Sequence, residues 1–248
     1  MNKTTQLKKL LLQRKALPCP GVYDALSARM VEYCGFQACQ ISGFGVSASS
    51  LGMTDASFTS LEEIVRITSN IVRAVDIPVM TDADTGYGNA VNVWWTTKRL
   101  EETGAAGMNL EDQCFPKRCG HMAGKQLISL GEMVGKIRAA VDAKRDPDFV
   151  INARTDAAYV CGIEEAIRRG NAYLEAGADM VFVESPVSAE EVKRAIEQIK
   201  GPVSINMLEG GRTPMLTFEE LRQLGAARVS CPMFTSLIAA YALQKGLS

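Results

Sequence analysis

The segment Glu111–Lys125, EDQCFPKRCGHMAGK, gathers reactive side chains in one short stretch of a 248-residue chain. Lys117 and Arg118 precede Cys119, and Gly120 and His121, the only histidine in the protein, follow it. Two cations and an imidazole beside a thiol favour the thiolate, which is how reactive cysteines are made. No apolar period of 2 or 3.6 runs through the segment, so it reads as a long loop after the apolar run Ala106–Leu110. We expect residues 111–125 to form a mobile active-site loop. The other six cysteines lack this setting. Cys19, Cys34, Cys39 and Cys231 lie in or beside apolar segments, Cys161 enters a helix, and Cys114 has Asp112 and Phe115 as near neighbours.

A second constellation is Asp82 and Asp84, two apart at the end of the apolar run Ile77–Thr81. At a strand end this spacing projects both carboxylates to one side, where they can share a cation. A single histidine excludes a histidine-rich zinc site within one chain, and any Ser-His-Asp triad would have to use His121. A metal here is therefore held mainly by carboxylates and water, which suits Mg²⁺, with Mn²⁺ as the alternative.

These residues need a scaffold that brings distant segments together, and the chain alternates in the way such a scaffold requires. An amphipathic helix over 4–15 opens it. Strands are expected at 16–20, 36–42, 77–81, 106–110, 149–153, 180–183, 203–206 and 228–230. Helices are expected at 21–34, 60–75, 89–103, 129–144, 162–176, 188–199, 217–224 and 233–245, with a loop over 43–59. Ser60 and Glu63 are placed for a capping box. Thr103-Gly104-Ala105-Ala106, Ala176-Gly177-Ala178-Asp179 and Leu224-Gly225-Ala226-Ala227 repeat one helix-stop device. Eight strand–helix units in about 250 residues without a Pro/Ser-rich linker predict one (β/α)8 barrel domain over 1–248, of TIM type, with an extra N-terminal helix. An open doubly wound sheet would want Gly-x-Gly-x-x-Gly after the first strand. Gly43-Phe44-Gly45 lacks the third glycine and follows the second.

Polar residues close six of the expected strands: Ser42 and Gly43; Asp82, Asp84 and Thr85; Glu111 and Asp112; Arg154 and Asp156; Glu184; Asn206 and Glu209. In a barrel these positions converge on the C-terminal face, where the active sites of this fold lie. Taken singly, Asp156 and Glu164 read more simply as a helix cap or a solvated loop end.

Composition narrows the functional classes. The chain is 47% hydrophobic and 22% charged with a net charge of −1 and no dense Lys/Arg cluster, so neither nucleic acid nor an anionic membrane surface is expected as a partner. No apolar run approaches the ~18 residues of a membrane span, and the polar opening does not resemble a signal peptide. Seven scattered cysteines without a CxxC pair point to a reducing cytoplasm.

Several motifs, in matching order from about residue 16 to 235, resemble the isocitrate lyase/phosphoenolpyruvate mutase superfamily. They are Ser42-Gly43, Leu51-Gly52-Met53-Thr54-Asp55, Asp82-Ala83-Asp84-Thr85-Gly86-Tyr87-Gly88, Glu111-Asp112-Gln113, Lys117-Arg118-Cys119-Gly120-His121, Asn152-Ala153-Arg154-Thr155-Asp156 and Asn206-Met207-Leu208-Glu209-Gly210-Gly211. Within that superfamily the Lys-Arg-Cys-Gly-His run resembles the carbon–carbon lyases that act on 2-methylisocitrate and 2,3-dimethylmalate. The resemblance implies Mg²⁺ held by Asp82 and Asp84 with Asp55 and Glu111, and a 2-hydroxy di- or tricarboxylate cleaved in a retro-aldol sense to pyruvate or a related oxo acid. It implies that Cys119 protonates the carbanion, that Arg154 neutralises developing charge, and that His121 tunes the thiol. Contacts with substrate are implied for Ser42, Gly43, Phe44, Asp82, Cys119, Gly120, Arg154, Glu184, Asn206 and Leu208. It also implies a homo-oligomer, a dimer or a tetramer.

Two departures matter. The lyases carry a tyrosine where this chain has Gln40, and methylisocitrate lyases carry an arginine after the eighth strand where this chain reads Pro232-Met233-Phe234-Thr235-Ser236. The second departure argues for a smaller substrate such as a substituted malate. A phosphonate mutase, an oxaloacetate hydrolase or decarboxylase, and a non-catalytic oxo-acid binding protein remain as alternatives on the same site.

Overall fold

Eight short, almost wholly buried strands carry the site. They are β1 (Leu17–Val22), β2 (Cys39–Ile41), β3 (Val79–Asp82), β4 (Gly107–Glu111), β5 (Val150–Thr155), β6 (Met180–Val183), β7 (Val203–Asn206) and β8 (Arg228–Cys231). In the computed structural model, which describes residues 2–120 and 122–248, every neighbouring pair is parallel and β8 returns to β1, closing the barrel. The seam is in register from Leu17 opposite Arg228 to Pro20 opposite Cys231. The expected (β/α)8 barrel of TIM type is therefore the fold.

Helix α1 (Lys3–Leu12) is the extra N-terminal element. Its Leu7 and Leu11 are buried against Leu17, Ala38, Ala106, Val150, Met180 and Ala227, which lie at or just before the strand starts. The helix thus closes the end of the barrel opposite the polar strand ends. The outer layer is α2 (Ala25–Tyr33), α4 (Leu61–Ala74), α5 (Ala90–Glu101), α6 (Leu130–Ala143), α8 (Ile163–Glu175), α9 (Ala189–Gln198), α10 (Phe218–Leu224) and α11 (Phe234–Leu247). Helix α4 shows why these segments wrap the barrel. Ile64, Ile67, Thr68, Ile71 and Val72 recur every three or four residues and are its buried face, and the predicted Ser60/Glu63 capping box starts it. The three recurring junction glycines, Gly104, Gly177 and Gly225, all take the left-handed backbone that stops a helix. No described helix is long and apolar enough to cross a membrane.

The structure corrects the sequence expectations in three places. Strand β1 continues through Gly21 and Val22, which pair with Gln40 and Ile41, so α2 begins four residues later than expected, with Asp24 as its cap. Two further helices, α3 (Gly43–Leu51) and α7 (Ala157–Cys161), occupy stretches without strong periodicity. Ser42 caps α3 and Gly52 ends it in the left-handed region, a local signal that outweighs the small, helix-poor residues between them.

Candidate active site

The extra helix α3 changes the meaning of Ser42-Gly43-Phe44. Ser42 is the N-cap, its Oγ accepting from the Gly45 amide at 3.1 Å, so Gly43 and Phe44 belong to the first turn, where amide hydrogens lack intrahelical partners. These amides and the helix dipole make an anion-receiving corner. The corner touches acids. A β-carbon on Gly43 would lie 2.6 Å from Asp82 Oδ2 and 3.2 Å from Asp55 Oδ2, so only glycine allows this approach.

Asp82 ends β3, and Asp84 lies beyond the strand with φ 46°, in the left-handed region. Strand alternation is therefore not what groups the two acids, as the spacing had suggested. A tight turn does it: the Asp84 amide donates to Asp82 Oδ1 at 3.1 Å, and the Asp84 carbonyl accepts from the Glu111 amide at 2.9 Å. The cation on which these acids converge is Lys117. Its buried Nζ lies 2.6 Å from Asp55 Oδ2 and 2.9 Å from Asp84 Oδ1. Although burial alone would lower it, the Asp84, Glu111, Asp55 and Asp82 carboxylates together hold the ammonium well above its ordinary pKa. Burial raises the Asp84 carboxyl to about 6, with Lys117 opposing. Burial also holds Glu111 well above the ordinary range, against Arg154 and Lys117.

This donor set suits a hard divalent cation. Asp55, Asp82, Asp84 and Glu111 offer only oxygen, and two of them, Asp55 and Asp84, already contact an ammonium. Among the described residues no three Asp, Glu, Cys or His side chains are already grouped as a metal site, with Lys117 standing among these acids. Oxygen-only donors favour a hard cation such as Mg²⁺, which completes its shell with water and substrate oxygens.

Arg154 stands on the other side, at the end of β5. Its guanidinium meets Asp156 Oδ2 at 2.9 Å, Glu111 Oε2 at 3.3 Å and Glu184 Oε2 at 3.3 Å, and its pKa is held well above the ordinary value by these acids against burial. Asp156 is not the solvated cap that its position suggested. It is fully buried, caps nothing, and is held below its ordinary pKa by Arg154 and Lys125, which outweigh burial. Lys125 Nζ lies 2.7 Å from Asp156 Oδ1 and also donates to the Gly120 carbonyl. Glu164, by contrast, is exposed and pairs with Arg194 across the helix layer. Asn206 donates to Glu184 Oε2 at 3.4 Å and is itself oriented by Ser230, whose hydroxyl donates to Asn206 Oδ1 at 2.7 Å.

The loop after β4 lies across this mouth, tied at several points. Gln113 donates to Glu111 Oε1 and to the Arg118 carbonyl and accepts from the Arg118 amide, and the Lys117 amide donates to Ser57 Oγ. The Ser185 hydroxyl donates to the Gly120 carbonyl at 3.0 Å. A β-carbon on Gly120 would lie 2.4 Å from Arg154 Nη2 and 2.6 Å from Glu184 Oε2, so the backbone seals directly onto the Arg154–Glu184 pair. Beneath it is a cavity of about 60 Å³. Every residue that the sequence assigned to substrate lines it: Ser42, Gly43, Phe44, Asp82, Cys119, Gly120, Arg154, Glu184, Asn206 and Leu208. Asp55 does so too, while Asp84 and Glu111 stand behind that lining. His121 lies outside the described residues.

The two cations beside Cys119 are neighbours in sequence that spend their charges elsewhere. Lys117 is committed to the acids, and the Arg118 guanidinium donates to the Ala123 carbonyl at 3.2 Å. Of the remaining cysteines, burial pushes Cys19 and Cys231 up to about 11 and raises Cys39 further, whereas Cys34 and Cys161 are exposed. Cys34 is therefore exposed despite lying beside an apolar segment.

Sequence reasoning missed Lys125, Ser185 and Phe182. Lys125 closed the quoted loop motif, and a cation there opposite the polar end of β5 was the available signal. Phe182 stacks beneath the Arg154 guanidinium at 5.3 Å from inside an ordinary apolar strand, where nothing marks it. Asp112 turns away from the mouth. It accepts from Thr155, Tyr173, Arg169 and the Asp156 amide, bracing the end of β5 from behind.

Comparisons with known proteins bear on this site. Residues 7–248 match the family model described as phosphoenolpyruvate phosphomutase. The chain is 49% identical over 225 residues to 2,3-dimethylmalate lyase of Eubacterium barkeri, covering 91% of this chain and 78% of that protein. Among solved structures, it is similar to oxaloacetate acetylhydrolase in complex with 3,3-difluorooxalacetate (TM-score 0.95, 36% identity, 99% of this chain and 85% of that one). It is also similar to phosphonopyruvate hydrolase in complex with oxalate and Mg²⁺ (TM-score 0.89, 31% identity, 99% and 85%). With a closed barrel, acids at the mouth and a cysteine loop across them, this chain belongs to the isocitrate lyase/phosphoenolpyruvate mutase superfamily.

Proposed function

We propose that the protein is a Mg²⁺-dependent carbon–carbon lyase that cleaves a 2-hydroxy dicarboxylate of the substituted-malate type to an oxo acid and a carboxylate. The observation that carries this reading is that Cys119, Arg154 and the amide corner of α3 all line one small cavity. The α3 amides receive the carboxylate beside the hydroxyl-bearing carbon. Asp82 and Asp84, with Asp55 and Glu111, would hold Mg²⁺, which when bound would supply positive charge to the oxygen on which negative charge develops. Arg154, fixed by Glu111, Asp156 and Glu184, offers its guanidinium to the carbanion's carboxylate as the C2–C3 bond breaks. The hydroxyl proton passes to a carboxylate of the acid cluster as C2 becomes a carbonyl, and the Cys119 thiol delivers the proton that the carbanion needs. Gly120, sealed on Arg154 and Glu184, keeps bulk water from competing for it.

Similarity to a 2,3-dimethylmalate lyase supports the substrate class. Pro232 and Met233 support the smaller size, because they line the cavity where a third carboxylate would need a cation. A second reading, hydrolysis of oxaloacetate, has the likeness to oxaloacetate acetylhydrolase behind it. We place the enzyme in a reducing cytoplasm as a homo-oligomer, a dimer or a tetramer; the scattered cysteines support the first and the exposed apolar residues of α11 the second. The test is a screen of substituted malates and oxaloacetate with Mg²⁺, following oxo-acid release and oxalate formation separately. Oxo acid from a substituted malate is the expected result, and oxalate as the sole product would overturn it in favour of the hydrolase.

A further inference from the structure

Tyr159 sits in the five-residue helix α7 that follows β5 and is half-buried. Its neighbours Ala157 and Ala158 belong to the hydrophobic core, and Tyr159 stands outside it. Its ring meets two cations from distant parts of the chain. Lys125 Nζ lies over the ring at 5.2 Å from the centroid, and the Arg212 guanidinium carbon lies over it at 3.9 Å. Lys125 belongs to the loop after β4, and Arg212 follows Gly210 and Gly211 in the loop after β7. Cations this close are attracted by the negative face of an aromatic ring. The position of Lys125 gives the ring a task. The lysine side chain is buried, and two of its three N–H donors go to Asp156 Oδ1 and to the Gly120 carbonyl. The first of these bonds answers the charge. The second fixes the residue next to Cys119, and both Cys119 and Gly120 line the cavity.

We infer that Tyr159 is a positioning residue whose ring supports Lys125 and Arg212 together and, through Lys125, fixes Gly120 and sets Cys119 at the cavity wall. The attraction comes from the face of the ring, so the ring and not the phenolic hydroxyl carries the effect. Tyr159 touches none of the reacting atoms. It acts through the ammonium, which keeps its aim at the Gly120 carbonyl and Asp156 while the ring occupies the space where water would compete for its third proton. Arg212 rests on the same ring, so the loops after β4 and β7 are tied through one side chain that belongs to neither. That turnover needs Cys119 so placed rests on the lyase reading above. The support itself does not depend on the reaction and is read without turnover.

The rate at which iodoacetamide alkylates Cys119, mapped by mass spectrometry, reports how often this half-buried thiol leaves the wall, with exposed Cys34 as the internal standard. Tyr159→Phe keeps the ring and is expected to label Cys119 within about twofold of wild type. Tyr159→Leu keeps an apolar side chain without a ring and is expected to label it about 5- to 10-fold faster, the worth of a partly desolvated cation–π contact. Arg212→Gln, at an exposed position, is expected to raise the rate about two- to fivefold in wild type and to add nothing in Tyr159→Leu, where its contact is already gone. Unchanged labelling in Tyr159→Leu, equal acceleration in the Phe and Leu variants, or additive effects of the Tyr159 and Arg212 changes overturns the inference. Should Tyr159→Leu fail to fold by circular dichroism, Arg212→Gln must still accelerate labelling in wild type and in Tyr159→Phe, and no acceleration overturns the inference. A wild-type protein that cleaves no substituted malate overturns the lyase reading, while the labelling comparison still decides the role of Tyr159.

Discussion

Lys117 Nζ lies 2.9 Å from Asp84 Oδ1, deep in the acid cluster at the barrel mouth, although the two residues are held on different strand ends. The loop after β4 is therefore anchored by charge as well as by backbone contacts. The same acids that suit Mg²⁺ are partly neutralised by the chain itself.

Replacing Lys117 with methionine leaves Asp55 and Asp84 facing each other without the ammonium. Breaking a buried pair in this way costs about 3 kcal/mol or more, or roughly 6–12 °C in melting temperature for a domain of this size. The loss is expected to be larger at pH 8 than at pH 5, where the acids can protonate, and Mg²⁺ should restore more of it than it adds to wild type. Thermal melts of both proteins with and without Mg²⁺ check this; identical melting temperatures in metal-free buffer would exclude a stabilising pair.

Asp84 gives a pH dependence with a definite sign. Its carboxyl is raised from 3.8 to about 6, so the metal-free folded state binds this proton more tightly than the unfolded chain. The contribution of this group to stability is complete below about pH 3.8 and is lost as pH rises to about 6 and beyond. Mg²⁺ must displace the same proton. Its affinity, read by calorimetry, should fall at least tenfold for each pH unit well below 6, and Asp84→Asn should reduce that slope, the buried Glu111 supplying the rest. A flat affinity from pH 5 to 8 in wild type would contradict this.

Cys119→Ser keeps the size of the side chain that lines the cavity and removes an acid of suitable strength. Turnover is expected to fall ~100-fold or more with Mg²⁺ affinity unchanged. Alkylation mapping adds an independent readout. Exposed Cys34 and Cys161 should label regardless of ligand, whereas labelling of Cys119 should be suppressed by oxo acid plus Mg²⁺. Near wild-type turnover by the serine variant would remove the cysteine from the mechanism.

Substrate size follows from Pro232 and Met233 at the cavity wall. A third carboxylate placed against them would be buried without a partner, costing several kcal/mol, or roughly a thousandfold or more in kcat/KM. Steady-state comparison of 2-methylisocitrate with 2,3-dimethylmalate tests it. Comparable efficiencies would mean that another cation reaches the third carboxylate.

Gly120→Ala probes the seal over the site. A β-carbon there collides with Arg154 Nη2 and Glu184 Oε2, so the loop must lift or the pair must part. kcat is expected to drop at least tenfold while the metal-dependent part of the melting temperature is retained, because the acids around Lys117 are untouched. Full activity in this variant would show that the close approach is dispensable.

Read alone, the chain determined its barrel and most of its cavity. Alternating apolar runs and helical periods are local signals, and eight of them in about 250 residues leave one common way to bury every face. Because all eight strands run parallel, a polar residue at a strand end must face the mouth, and that is why Ser42, Asp82, Arg154, Glu184 and Asn206 were legible by position. What only the tertiary structure decided was the partner of each charge. Lys117 and Arg118 are adjacent to Cys119 along the chain, yet Lys117 turns into the acid cluster because buried carboxylates draw an ammonium more strongly than a thiol does. Asp156, whose local context suggested a solvated cap, is buried because Lys125 and Arg154 reach it from elements 31 and two residues away. Helix α3 was hidden for a similar reason. Its residues are poor helix formers, and the structure holds them helical through Ser42, Gly52 and the acids that Gly43 alone is small enough to approach.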